Sequence, residues 1–253
     1  MPDRDDRAAG DDGAVEGWQP VRKVRAYEQV LSQIEERLRA GTLRPGDRLP
    51  GERQLSSLLG VSRGSVREAL RVLEALEIVV ARAGRGDDSG SVITREPGEA
   101  LTSLLRFQIA LSRFSMQDVI EARTMVERWA AQRAAERGTA EDHERMRATL
   151  EAMADRTLTP ERFNELDTEF HVTVARAAHN DMIAYWMQAI RDAIRDEMAA
   201  AFAQLPDWRA VTDDLRVQHG AIYDAIRDGD GDLAAQLIAR HITGFYASVG
   251  MAR

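Results

Sequence analysis

The chain has no cysteine among its 253 residues. Disulfides, thiolate nucleophiles and cysteine-ligated zinc are therefore excluded, and any metal has to be held by His, Asp or Glu. No apolar run reaches the roughly 18 residues that a membrane-spanning helix needs. The stretch MPDRDDRAAGDDGAVEG also lacks the apolar core of a signal peptide, so a cytoplasmic protein away from membranes is expected. Aromatic residues amount to 6%, whereas Ala, Arg, Glu and Leu abound, which is the composition of a mostly helical protein. A chain of this length can hold two domains, each with its own core.

Positive charge is scarce overall, the net being -8, and it is unevenly spread. Residues 1–17 carry two Arg against six acids, residues 18–86 carry 13 Lys and Arg against eight acids, and residues 87–253 carry 19 against 28. The first stretch is rich in Gly and Asp and reads as a disordered acidic tail, bounded at 1–19. The second is a basic module of net +5 inside an acidic molecule.

Within that module, apolar residues at 27, 30, 31, 34 and 38 mark a helix. AGTLRPGDRLP breaks it, and ERQLSSLLG gives a short helix stopped by Gly60. Ser62 then caps a helix over about 63–76. IVVARAGRGDDSGSVIT holds two β-prone runs, 78–81 and 91–94, around a Gly-rich tip, the pattern of a hairpin. This order is that of a winged helix-turn-helix over residues 20–95, and residues 96–100 form a linker. Beyond it no strand signal appears. Helices are expected at about 101–112, 116–137, 140–154, 160–179, 181–204, 209–228 and 230–249, an all-α bundle over 101–253. The fold class is thus mainly α, a winged helix-turn-helix followed by a helical bundle.

Arg63, Arg67 and Arg71 recur every fourth residue and cover a helical sector of about 80°. The neighbouring sector, Val66, Ala69, Leu70 and Leu73, has to be buried. Such a helix fits the DNA major groove, where Arg can donate two bonds to guanine O6 and N7. In a helix-turn-helix the first residues of the second helix do the reading, here Arg63, Gly64, Ser65 and Arg67. Gly64 and Ser65 are small enough for close approach, and Arg53 on the preceding helix is placed for a phosphate or base edge. An Arg pair four residues apart is by itself more often a solvated face. The turn, the cap, the hairpin and the local charge favour the DNA reading.

The segment YEQVLSQIEERLRAGTLRPGDRLPGERQLSSLLGVSRGSVREALRVLEALEIV resembles the N-terminal domain of GntR-family transcriptional regulators, with a match over about residues 24–94. The resemblance implies operator contacts by Arg53, Arg63, Arg67 and the wing-tip Gly84. The chain departs from the family pattern at Gly51, where Ser is preferred, at Gly64-Ser65, where Thr-Pro is usual, and at Glu77, where Gly is usual. Asp87 and Asp88 add negative charge to the wing.

Histidines number only five. His143 lies among charges and is expected to be exposed, and His179 lies at a helix end. The other three fall on apolar faces: His171 near Phe170 and Val174 and four residues after Asp167, His219 among Leu215, Ile222 and Ile226, and His241 with Leu237 and Phe245. A lone His on such a face is usually a satisfied core residue. Unpaired buried polar groups cost about 1–3 kcal/mol each, however, so four of them should converge. Asp with three His is a plausible shell for Zn, Ni or Mn. Spacing alone leaves the metal and the satisfied core equally open.

Residues 101–250 resemble the FCD ligand-binding domain of the FadR-type branch of the same family, through IEARTMVERWAAQRAAER, LDTEFHVTVARAAHNDMIAYWM and QHGAIYDAIRDGDGDLAAQLIARHI. The resemblance implies a divalent metal on Asp167, His171, His219 and His241, with Gln218 replacing a usual Glu. Arg123, on the Val119, Val126 and Ala130 face, either makes an internal salt bridge to Glu127 or binds a carboxylate effector, and the resemblance favours the effector. Asn180 is expected to be structural. The combined expectation is a regulator, more often a repressor, that binds a palindromic double-stranded operator as a homodimer under the control of a small organic acid. The alternative, a metal-dependent enzyme built on the bundle, lacks the Glu-x-x-His and His-Glu-x-x-His patterns of familiar metalloenzymes.

Overall fold

An apolar stripe at helical spacing organises the N-terminal part of the computed structural model, which describes residues 25–82, 90–95, 98–203, 205 and 207–250. Helix α1 (Ala26–Arg39) buries Val30 and Ile34 beside Val66, Ala69, Leu70 and Leu73 of α3 (Arg63–Ala75), and α2 (Glu52–Leu59) adds Leu55. Gly60 ends α2 in the left-handed region at φ 65°, where a Cβ would be strained. The Ser56 hydroxyl donates to the Val61 carbonyl at 2.6 Å, and the Ser65 amide donates to the Ser62 hydroxyl at 3.1 Å. Those two bonds fix the tight turn between α2 and α3. Strands β1 (Val79–Arg82) and β2 (Gly90–Ile93) pair antiparallel, Val79 opposite Ile93. Asp47 and Leu49 bond the other edge of β2, which anchors the hairpin to the helical core. Glu77, between α3 and β1, takes φ 55°, a conformation that favours Gly. The acidic tail over 1–19 and the wing tip with Gly84, Asp87 and Asp88 lie outside the described residues.

The chain divides into two compact units, residues 1–95 and 96–253. Among the described residues the second unit is eight helices: α4 (Ala100–Ala110), α5 (Met116–Arg137), α6 (Ala140–Met153), α7 (Pro160–Ala177), α8 (Asp181–Ala193), α9 (Arg195–Ala203), α10 (Trp208–Arg227) and α11 (Gly231–Ser248). Most starts are set by side chains. Ser115 with Asp118 and Thr139 with Asp142 form reciprocal capping boxes, while Thr159, Asn180, Asp207 and Asp230 each cap one helix. Asn180 thus has the structural role expected of it.

The expected helix over 181–204 is broken at Ile194 although no Gly or Pro stands there. The cause is tertiary: Ile194 is fully buried at the junction, and Met198, Ala201 and Phe202 turn α9 onto α7. Helix α7 is buried almost all round, including Phe163, Phe170, Val172 and Val174, and so lies at the centre of the bundle. Around it α5 and α11 pack closely. A Cβ on Gly231 would meet the side chain and carbonyl oxygen of Gln132 of α5 at 3.0 Å, so the two helices approach tightly there and a larger residue would need Gln132 to give way.

Candidate functional site

On α3 the buried residues leave Arg63, Arg67 and Arg71 on the neighbouring, exposed face. Arg67 is not solvated alone. Its Nε donates to Glu52 Oε1 at 3.2 Å and its Nη2 to Oε2 at 2.9 Å, a two-bond fork between the second turn of α3 and the first residue of α2. Arg63 Nη2 lies 3.9 Å from the same Oε2. The Glu52 carboxyl is held below its usual range, first by the hydrogen bond from Arg67. Ser65 Oγ lies 3.0 Å from Ser62 Oγ, and a Cβ on Gly64 would meet only that hydroxyl at 3.6 Å, so the fold leaves room there. Arg53 is exposed beside Glu52. Gly84 is outside the described residues. Glu52 was not singled out from the sequence, since its partner is fifteen residues away.

In the second unit, α7 supplies Asp167 and His171 one turn apart, α10 supplies His219 and α11 supplies His241. All four are buried, and one donor atom of each lies within 4.8 Å of the others. His171 Nε2 is 3.1 Å from His241 Nε2 and 3.4 Å from His219 Nε2, and His219 Nε2 is 3.1 Å from Asp167 Oδ1. Two nitrogen ligands about 2.1 Å from one cation stand roughly 3.0–3.4 Å apart at ordinary bond angles, so the spacing fits a shared divalent ion.

The far side of the His241 ring fixes where its proton is. Gln218 Nε2 donates to Asp214 at 2.5 Å, which turns its Oε1 toward His241 Nδ1 at 2.9 Å. His241 must therefore donate from Nδ1. His171 Nδ1 lies against the Glu127 carboxylate, which favours a proton on that nitrogen. With the protons on Nδ1 of both rings, the two Nε2 atoms face each other as lone pairs, the arrangement that a shared cation would satisfy. Burial pushes both rings toward the neutral form, His171 down to about 4 and His241 well below its usual value. Neutral rings are the metal-binding form.

Arg123 is 3% exposed and makes the internal pair foreseen as the alternative to effector binding. Its Nε donates to Glu127 Oε1 at 3.0 Å and its Nη1 to the Tyr246 hydroxyl at 2.6 Å. Arg191, which sequence reasoning missed, is also buried and donates from Nη1 to Asp167 Oδ2 at 2.7 Å. Burial alone would raise the carboxyls of Glu127 and Asp167. For Glu127 the neighbouring His171, Arg123 and Arg191 outweigh it, and for Asp167 chiefly Arg191 does, so both are held well below the carboxylate range. Arg123, Arg191, Asp167, His241, Tyr246 and Phe245 line one small cavity of about 10 Å³, on the order of one water. A carboxylate could reach both guanidiniums there only if the cavity widened.

His143 is half-buried rather than exposed, its ring edge against Tyr223 at 6.3 Å between centroids. His179 has φ 49° and its Nε2 lies 2.9 Å from Asp142 Oδ2.

Comparison with known proteins agrees with both units. Residues 26–87 match the model of bacterial regulatory proteins of the gntR family, and residues 118–244 match the FCD domain. The uncharacterized HTH-type transcriptional regulator YcbG of Bacillus subtilis is 31% identical over 67% of this chain and 69% of its own. The HTH-type transcriptional regulator LutR of the same organism is 27% identical over 81% of this chain and 93% of its own. A solved structure titled Streptococcus agalactiae GntR shares the fold at TM-score 0.65, with 23% identity over 88% of this chain and 99% of that one.

Proposed function

Because the chain belongs to the GntR family of transcriptional regulators and its second unit is an FCD effector-binding domain, we propose that it is a repressor that binds a palindromic operator as a homodimer and is controlled by a small carboxylate held beside a divalent metal. Residues 20–95 are the reading module and residues 101–253 the dimerising and effector-binding one. A two-fold dimer presents two equivalent recognition helices, which is what a palindrome matches.

At the DNA, Arg63 and Arg67 take base edges, Gly64 and Ser65 allow the backbone to approach, and Arg53 and Gly84 flank them on the phosphates and the wing side. In the second unit Asp167, His171, His219 and His241 hold the metal, a three-nitrogen, one-oxygen set that suits Zn, Ni or Mn. The single observation that carries this reading is the buried convergence of these four side chains, with His171 Nε2 and His241 Nε2 only 3.1 Å apart. When bound, the metal supplies a Lewis-acid contact for a carboxylate oxygen. Arg123 offers the same acid a guanidinium, and Arg191 a second one on the same cavity. Glu127 touches Arg123 and His171, so an acid competing for Arg123 disturbs a carboxylate that also orients a ligand. An effector shifts operator affinity only by binding one arrangement of the dimer better than the other.

The test is fluorescence anisotropy on the DNA upstream of the protein's own gene, with metal-loaded and chelated protein, against a panel of small hydroxy- and dicarboxylates. Release of DNA by at least one acid, from the loaded protein only, is the expected result. Binding that ignores both the metal and every acid would sink the proposal.

A further inference from the structure

Glu52 opens α2, yet its carboxylate is bound to the reading face of α3. A guanidinium has two usable forks, a side edge of Nε with Nη2 and an end edge of Nη1 with Nη2. Glu52 occupies the side edge of Arg67 with both oxygens, at 3.2 and 2.9 Å. The end edge stays open, and it is a fork of the kind that matches guanine O6 and N7. The same Glu52 Oε2 lies 3.9 Å from Arg63, so one carboxylate faces the two arginines at the start of the row. Glu52 is about one-third exposed and Arg67 half exposed, so both partners of the fork are reached by solvent.

We propose that Glu52 is a specificity-determining positioning residue, which fixes the Arg67 guanidinium for an end-on contact with one guanine and opposes closure of the arginine pair on phosphates. The proposal rests on α3 being the major-groove reader. A free arginine binds any phosphate, and a cluster of free arginines gives affinity without sequence preference. An arginine with its side edge already taken has fewer ways to satisfy itself, and its plane is set before DNA arrives. The carboxylate also repels phosphates that come within reach. It therefore lowers affinity for arbitrary DNA more than for the site where the end edge finds its guanine. Glu52 remains ionised wherever DNA is bound, because the arginines around it lower its carboxyl below the usual range. A salt bridge that served only to hold α2 against α3 would behave differently, since exposed pairs contribute little to stability and nothing to base choice.

The experiment uses full-length wild type, Glu52→Gln, Arg67→Lys, the double variant and Arg67→Ala. Each is taken through selection from a random-sequence duplex library. Anisotropy then follows on the duplex recovered by the wild type and on a scrambled duplex of the same length, with melting curves as the folding control. Glu52→Gln should bind the scrambled duplex as well as wild type or severalfold better. Its preference for the recovered duplex should fall about tenfold, the lower range of what one bidentate base contact contributes. The selected motif should lose its guanine preference at one position per half-site. Arg67→Lys should lose the same discrimination, and the double variant should lose no more than either single one. An unchanged preference in Glu52→Gln overturns the proposal, as does equal loss on both duplexes. Failure of the major-groove reading itself has a separate signature, since Arg67→Ala would then select and bind as wild type does.

Discussion

Gln218 and His241 lie on different helices, yet the amide oxygen of Gln218 accepts the Nδ1 proton of His241 at 2.9 Å. The amide cannot turn over, because its nitrogen is committed to Asp214 at 2.5 Å. Loss of such a support typically lowers metal affinity 10- to 100-fold. Gln218→Leu should do so in a chelator-competition titration, and Gln218→Glu should stay within a few-fold of wild type. Equal affinity in the Leu variant would show that His241 needs no such hold.

Metal removal gives a second expectation. A ligand that binds only the folded state stabilises by about 2.7 kcal/mol at a free concentration 100 times its Kd. Zinc should therefore raise the melting temperature of chelator-treated protein. In His171→Ala that increment should vanish whatever the variant's starting stability, because the ring takes part in both close nitrogen contacts. A zinc-dependent rise that survives the substitution would place the ion elsewhere.

Arg123→Ala should lower stability by about 3–5 kcal/mol, the usual result of removing one partner of a buried pair. Glu127 and the Tyr246 hydroxyl would both lose their bonds to it. Urea denaturation measures this directly, and a loss below about 1 kcal/mol would mean that Glu127 is held without Arg123. Effector binding is therefore better tested with Arg123→Lys, which keeps the charge and gives up the fork.

Glu77→Gly should stabilise the first unit by about 0.5–1 kcal/mol. The left-handed conformation costs a side-chain-bearing residue roughly 1–2 kcal/mol, part of which glycine's greater freedom in the unfolded chain offsets. The turn itself is retained, because Thr94 Oγ1 bonds the Glu77 carbonyl at 2.8 Å. Denaturant midpoints compare the two proteins, and a less stable variant would contradict the strain at Glu77.

Asp142 carries a pH dependence. Burial would raise its carboxyl, but bonds from the Thr139 hydroxyl and amide, then from His179, hold it below the usual aspartate range. A depressed carboxyl contributes stability that is fully present above its unfolded value, near pH 4, and is lost as pH falls through the lower folded value. Asp142→Asn should therefore be less stable at neutral pH, and the gap should close in strong acid. A gap of constant size across an acid titration followed by circular dichroism would refute the linkage.

Much of this was legible because it is local. The arginine row, the Ser62 cap and the Asp167 and His171 pair each lie within one or two helical turns, where spacing alone fixes the face. Other features depend on what packs opposite. Arg191 stands in AIRDAIRDEM among charges of both signs, and only the burial of α8 against α7 selects it as the one that reaches Asp167. His143 also sits among charges, and the Tyr223 ring of α10 covers it. The break at Ile194 has no Gly or Pro to announce it. Glu52 would have been found by asking which acid could neutralise an arginine row at the turn of a helix pair.

The caps that start the helices of the second unit act within a few residues, but the join between α5 and α11 ties Gln132 to Asp232 across 100 positions. Short-range order forms quickly, whereas closing so long a loop comes late. Asp167 and His171 are synthesised well before His241, which arrives on α11. A chain still emerging from the ribosome therefore lacks one member of the Asp167, His171, His219 and His241 cluster, which closes only after synthesis of the last helix.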